Sequence, residues 1–123
     1  MPHHKRYDVF MNDRYIGQLI HGNVEIMVLK VLSKGALHVY GIKKYVYDHS
    51  DGYFGLSEGR LYPLLKKFEK YGYVSSRPSI STTGRMVCEY SLTKVGRDEL
   101  DVRMNARRIF AGKLNKVLDF ETE

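Results

Sequence analysis

The chain of 123 residues has no tryptophan, three prolines and one cysteine. A lone cysteine, Cys88, excludes an intrachain disulfide and any zinc site built from several thiolates. Its expected place is the core, as a small apolar side chain. No stretch approaches the roughly 18 consecutive apolar residues that a membrane-spanning helix needs, so no membrane partner is expected. The chain starts with the basic His3-His4-Lys5-Arg6, but acidic and polar residues interrupt the stretch up to residue 20, and the apolar centre of a secretory signal is missing. A cytoplasmic location is the expectation. No nucleophile motif, phosphate-binding glycine loop or glycine-framed acidic pair occurs, which argues against an enzyme. Gly52 and Gly55 are too closely set to count as such a loop. His3, His4, His21, His38 and His49 show no metal-ligand spacing with one another or with Cys88, so neither a metal nor another cofactor is expected. His38 and His49 fall on an apolar helix face, where histidines satisfied within the core are the expectation.

Positive charge is in excess. Twenty Lys and Arg against fourteen Asp and Glu leave a net charge of +6, which suits a polyanionic partner. With 43% hydrophobic and 28% charged residues the composition is that of a globular protein, and the length allows one ordinary core.

Val24, Met27, Val28, Val31 and Leu32 recur at the spacing of one helix face, and Lys34-Gly35 ends that helix. A second stripe, His38, Val39, Ile42, Tyr45, Val46 and His49, leaves Tyr40, Lys43, Lys44 and Tyr47 on the opposite face. Ser50 to Gly55 reads as a loop. Ser57 then caps a third helix with Glu58 in its first turn and Leu61, Leu64, Leu65 and Phe68 on its apolar side. Pro63 predicts that this helix is irregular or only just beginning there, since an interior proline costs roughly 3 kcal/mol. After Gly72 the period falls to two. Tyr73 to Arg77 reads as a strand, 78–84 as a polar turn region, and Met86, Cys88, Tyr90 and Leu92, alternating with Val87, Glu89 and Ser91, as a second strand of a hairpin with a polar tip. Thr93 is placed to cap a long last helix whose apolar stripe comprises Val102, Ala106, Ile109, Phe110, Leu114, Val117 and Leu118, with Lys113 beside them. Residues 1–21 form an extension. Asn12-Asp13 would suit a hairpin turn there, but Met11, Tyr15, Ile16, Leu19 and Ile20 on one face favour a helix.

The expected fold is therefore mainly α (α+β): a winged helix-turn-helix over 22–92 with a two-stranded β wing, then a long helix over 93–123. Its third helix is the one expected to enter the major groove of double-stranded DNA. That helix sets Gly59, Tyr62, Pro63, Lys66, Lys67 and Lys70 opposite its apolar face, with Ser57 at its start. Lysine amino groups pair with phosphates or with guanine O6 and N7, the tyrosine packs on a thymine methyl or bonds a phosphate, and Gly59 permits close approach. Arg60, on the flank, is the candidate for a bidentate guanine contact. Tyr40, Lys43 and Lys44 on the second helix, and Arg77 and Arg85 on the wing, complete the candidate set.

Gly22-Asn23-Val24-Glu25, His38-Val39-Tyr40-Gly41-Ile42, Leu61-Tyr62-Pro63-Leu64-Leu65-Lys66-Lys67-Phe68-Glu69-Lys70-Tyr71-Gly72 and Tyr90-Ser91-Leu92-Thr93-Lys94-Val95-Gly96 together resemble the PadR family of transcriptional regulators, over roughly 22–118. The resemblance implies a winged-helix repressor, a homodimer through its last helix, on a partly palindromic operator. The single last helix is similar to the family's shorter branch. Departures from the pattern are local. The usual His-Gly-Tyr-Glu-Ile becomes His38-Val39-Tyr40-Gly41-Ile42, and the usual basic wing becomes Gly84-Arg85-Met86-Val87-Cys88-Glu89-Tyr90, which predicts few phosphate contacts from the wing. Some members of the family resemble sensors of apolar or phenolic compounds. Ten tyrosines and five phenylalanines keep a small apolar effector among the candidate partners. The competing function is a winged helix that binds another protein.

Overall fold

A computed structural model describes residues 15–120. The basic start and the Asn12-Asp13 turn lie outside these residues. Helix α1 (residues 15–20) buries Ile20 and passes through a turn, Asn23 N donating to Ile20 O at 2.7 Å, into α2 (Val24–Leu32). Five of the nine residues of α2 are buried, so it is apolar almost all round and forms the middle of the core. The chain then runs through strand β1 (Leu37–His38), α3 (Val39–His49), α4 (Glu58–Lys70), the hairpin strands β2 (Val74–Ile80) and β3 (Met86–Leu92), and α5 (Lys94–Val117).

The sheet has three antiparallel strands in the order β1-β3-β2: the expected two-stranded hairpin, β2 and β3, with the short β1 added at the free edge of β3. Leu37 pairs with Tyr90 and His38 with Glu89. His38 leaves the helical stripe because β3 offers a free edge, and it becomes the N-cap of α3, its Nδ1 accepting from Gly41 N at 2.9 Å. His49, also expected inside, is exposed and stacks on Tyr45 with ring centroids 3.7 Å apart. The hairpin is longer than its Ser, Thr and Pro content suggests. Pro78 pairs with Cys88 within the ladder, which is tolerated because β2 is an edge strand. The turn is confined to Ser81–Arg85, closed by Ser81 N donating to Arg85 O at 2.8 Å. Gly84 adopts the left-handed φ of +83° that such a three-residue turn requires. Cys88 is exposed rather than in the core.

Helix α4 runs continuously across Pro63. The missing N–H frees only the carbonyl of Gly59 at the solvent-facing start of the helix, and burial of Leu61, Leu65 and Phe68 outweighs that loss. Ser57 caps it, Oγ accepting from Arg60 N at 3.2 Å. Thr93 caps α5 in the same way, Oγ1 accepting from Gly96 N at 3.0 Å while also bonding the carbonyl of Gly72 at 2.6 Å. This cap ties the start of α5 to the end of α4. Gly96 sits so close to the turn after α4 that a Cβ there would lie 2.1 Å from the Tyr73 carbonyl oxygen and 2.7 Å from Leu92 Cδ1. No side chain fits without moving backbone. Gly96→Ala should therefore lower stability by about 1–3 kcal/mol, while Val95→Ala, adjacent and exposed, should change it by less than about 0.5 kcal/mol. Urea denaturation of the two variants measures the difference.

Candidate nucleic-acid interface

The amphipathic pattern of α4 decides what faces outward. Leu61, Leu65 and Phe68 are buried, which turns Gly59, Tyr62, Pro63, Lys66 and Lys70 to solvent as one continuous face. Beside it lies a cleft of about 480 Å³ between α4, the N-terminus of α3 and the hairpin, lined by Tyr40, Glu58, Tyr62, Arg85, Met86 and Cys88 among others. Tyr90 is buried close to Cys88, Glu69 and Tyr62. Burial, with the Cys88 thiol beside it, pushes its phenol up to about 12, so the group stays neutral at physiological pH.

The basic residues proposed from the sequence divide by their partners. Lys43 reaches Glu58 at 3.7 Å, Lys44 bonds Asp48 one turn along α3 at 2.9 Å, and Arg77 bonds Glu89 across the hairpin through Nε at 3.1 Å and Nη2 at 3.0 Å. Each of these cations is partly neutralised by its own carboxylate. Arg60, Lys66, Lys70 and Arg85 have no acidic partner among the described residues, and all four are exposed.

Lys67 departs from the expected arrangement. Its ammonium donates to Glu25 Oε2 of α2 at 2.6 Å, so it bends away from the solvent face of α4 towards the interior side of the molecule. The other oxygen of Glu25 accepts from Arg103 Nη1 of α5, and Arg103 Nε also donates to Glu99 at 2.7 Å. The Arg103 guanidinium lies 5.9 Å from the Phe68 ring centre and 5.8 Å from that of Tyr73. One half-buried carboxylate thereby joins α2, α4 and α5. Burial alone would raise the pKa of Glu25, but the hydrogen bonds and charges of Lys67 and Arg103 outweigh it and the net shift is downward. Arg103 is held more firmly charged, its own desolvation being outweighed by Glu99 and Glu25. The sequence hints only at the Glu99 to Arg103 step, a helical i,i+4 pair. Glu25 and Arg103 are too far apart in the chain for any local pattern to connect them.

On α5 the apolar stripe is uncovered. Val102, Ala106, Ile109, Phe110, Lys113, Leu114, Val117 and Leu118 are all exposed, and Ala106, Phe110 and Leu114 line a cleft of about 840 Å³ against Leu19 and Ile26 of α1 and α2. No described helix is long and apolar enough to cross a membrane, and no group of metal-ligating residues occurs among the described residues.

Three short helices followed by a hairpin, with a basic outer face on the third helix of the core, define a winged helix-turn-helix protein. A family model described as the transcriptional regulator PadR-like family matches residues 28–102, and the chain belongs to this family of regulators. It is 32% identical over 73 residues to the negative transcriptional regulator PadR of Bacillus subtilis, an alignment that covers 59% of this chain and spans 40% of that protein's length. A PadR family transcription regulator of Clostridium difficile R20291 superposes with a TM-score of 0.67 at 30% identity, over 76% of this chain and 96% of that one. A PadR family regulator of Eggerthella lenta shares the fold over 95% of this chain and 99% of that chain, with a TM-score of 0.78 at 20% identity.

The Glu25 cluster has a pH signature. A carboxylate whose folded pKa is depressed contributes its full stabilisation above the unfolded value, near 4.5, and loses it as pH falls through the lower folded value. Glu25→Gln should therefore be less stable than the unsubstituted protein at pH 7, and the gap should close between pH 4.5 and lower pH. Urea midpoints at pH 7 and pH 3 check this. An equal gap at both would remove the charge of Glu25 from the account.

Proposed function

We propose that this protein is a sequence-specific DNA-binding transcriptional regulator, acting as a repressor, that holds a partly palindromic operator as a homodimer. The observation that carries the reading is the outer face of α4, on which Lys66 and Lys70 stand without acidic partners beside Tyr62 and the close-approach surface of Gly59. Membership of a family of transcriptional regulators supports it. In this reading α4 lies in the major groove. Lys66 and Lys70 meet phosphates, and Arg60, on the flank of that face, makes the bidentate guanine contact. Ser57, Tyr62 and Pro63 form the surface between them, and Tyr40, Lys43 and Lys44 approach the backbone from α3. Lys67 holds the helix in place through Glu25 instead of meeting DNA. On the wing Arg85 is available, whereas Arg77 is engaged by Glu89. For a small apolar effector the candidate seat is the cleft of about 290 Å³ lined by Ile16, Leu19, Ile26, Met27 and Phe54.

The stripe on α5 supplies the dimer. A second copy covering the same surface is the simplest closed arrangement, since a twofold interface is self-complementary. Two α4 helices would then face successive major grooves about 34 Å apart.

Two experiments test these assignments. In fluorescence anisotropy, Lys66→Ala and Lys70→Ala should weaken selected and random duplexes alike and make the salt dependence shallower. Arg60→Ala should cost roughly 1–3 kcal/mol mainly on the selected site. Lys67→Ala should lower stability while leaving the salt slope unchanged. Binding to duplex DNA that is indifferent to salt would favour a winged helix that recognises protein. For the dimer, Ile109→Glu combined with Leu114→Glu should yield a monomer that has lost specific binding although no proposed DNA contact is altered. Sedimentation of both forms decides it: a native monomer at micromolar concentration, or a mutant that stays dimeric, defeats the interface.

A further inference from the structure

Four cations stand on α4, and the fold draws one of them, Lys67, away from the side that the other three share. Its helical position gives no reason for this. Arg60 and Lys67 are seven residues apart, two turns and about 10 Å along the helix, so both belong to the same flank of the groove-facing side. Arg60 has no acidic partner among the described residues, whereas Lys67 donates to Glu25 Oε2 at 2.6 Å. The Lys67 side chain is still 43% exposed there, so rotation about its own bonds is enough to bring the ammonium back outward. Leu61, Leu65 and Phe68, all fully buried, set which residues of α4 turn to solvent, and such a swing would leave them in place. The other oxygen of Glu25 accepts from Arg103, which is also bonded to Glu99 and lines the cleft beside the stripe of α5.

We infer that the pair of Glu25 and Lys67 is an autoinhibitory contact: the carboxylate withholds from DNA a lysine that would otherwise meet a phosphate, and keeps affinity below what the cations of α4 can give. This inference rests on the DNA-binding reading of α4. The reason is in the exchange of partners. A free lysine that meets a phosphate releases a counterion from the duplex, which is where the electrostatic affinity comes from. Lys67 would first have to give up one anion for another, and Glu25 would then have to recruit a cation of its own, so the exchange yields little while Glu25 is ionised. The contact is also wired to the rest of the molecule. Because Glu25 divides its two oxygens between Lys67 and Arg103, the carboxylate that holds back a cation of α4 is shared with a residue facing the α5 cleft.

The test uses the full chain, a duplex carrying its selected site, and anisotropy titrations from 50 to 200 mM salt. Glu25→Gln should bind more tightly than the native protein at 50 mM and steepen the log–log slope by about 0.9 per protomer, so that a dimer loses about tenfold more affinity across this range. Glu25→Gln combined with Lys67→Ala should return the slope to its native value, because the released lysine is gone. Arg103→Gln loosens the same cluster but leaves Glu25 to hold Lys67, so its slope should stay native. An unchanged slope in Glu25→Gln, a double variant that keeps the steeper slope, or an equal steepening by Arg103→Gln overturns the inference and leaves the DNA-binding reading standing. A measurement on the native protein decides the matter whether or not the variants fold. Acetylation of its amines, followed by mass spectrometry, should find Lys66 and Lys70 protected by the duplex and Lys67 as reactive as before. Protection of Lys67 would mean that it reaches DNA with Glu25 intact, and overturns the inference. Absence of salt-dependent binding by the native protein overturns the underlying reading itself.

Discussion

The carboxylate of Glu25 is the point on which the arrangement of the helices turns. It accepts from Lys67 on α4 and from Arg103 on α5, while Arg103 also rests beside the rings of Phe68 and Tyr73. Removing the carboxylate would leave Lys67 without its partner and Arg103 with Glu99 alone, two cations near each other at a half-buried place. The direction of the basic face of α4 relative to the stripe of α5 therefore passes through one residue of α2. Thr93 and Gly96 fix the same relation from the other side, by a capped turn packed against the Tyr73 carbonyl. In the proposed dimer, with two α4 helices on one duplex, this angle would have to be stiff, because a small rotation at α5 would become a large displacement at the groove.

Electrostatics in this molecule is a matter of distribution more than of total. A net charge of +6 says only that a polyanion is welcome. Carboxylates of the chain claim Lys43, Lys44, Lys67 and Arg77, and on α4 and the hairpin this leaves Arg60, Lys66, Lys70 and Arg85 without an acidic partner among the described residues. Three of these four flank or occupy the outer side of one helix. Paired surface cations still attract phosphate, but each must give up or share its carboxylate to do so, and exposed pairs of this kind are individually weak.

Much of the molecule is legible in the order of its residues. The period of 3.6 in α2, α4 and α5, the change to two after Gly72, and the caps at Ser57 and Thr93 are local features, set by a side chain and the backbone a few residues away. So is the outer face of α4, since burying Leu61, Leu65 and Phe68 leaves no choice about which residues turn outward. Pro63 misleads because its penalty is also local, and the burial that overrides it comes from other elements.

Only the tertiary structure decided which cations stay free, and the reason is reach. A lysine or arginine side chain is long enough to follow whichever carboxylate the fold brings near it, so Lys67 goes to Glu25 although its helical position points it outward. The strand made by Leu37 and His38 likewise exists because β3 has an open edge, not because two residues have strand character of their own. The sequence by itself determined the helices, the hairpin and the faces they bury. The contacts between elements, made by residues far apart in the chain, decided how those faces meet and which charges remain for a partner.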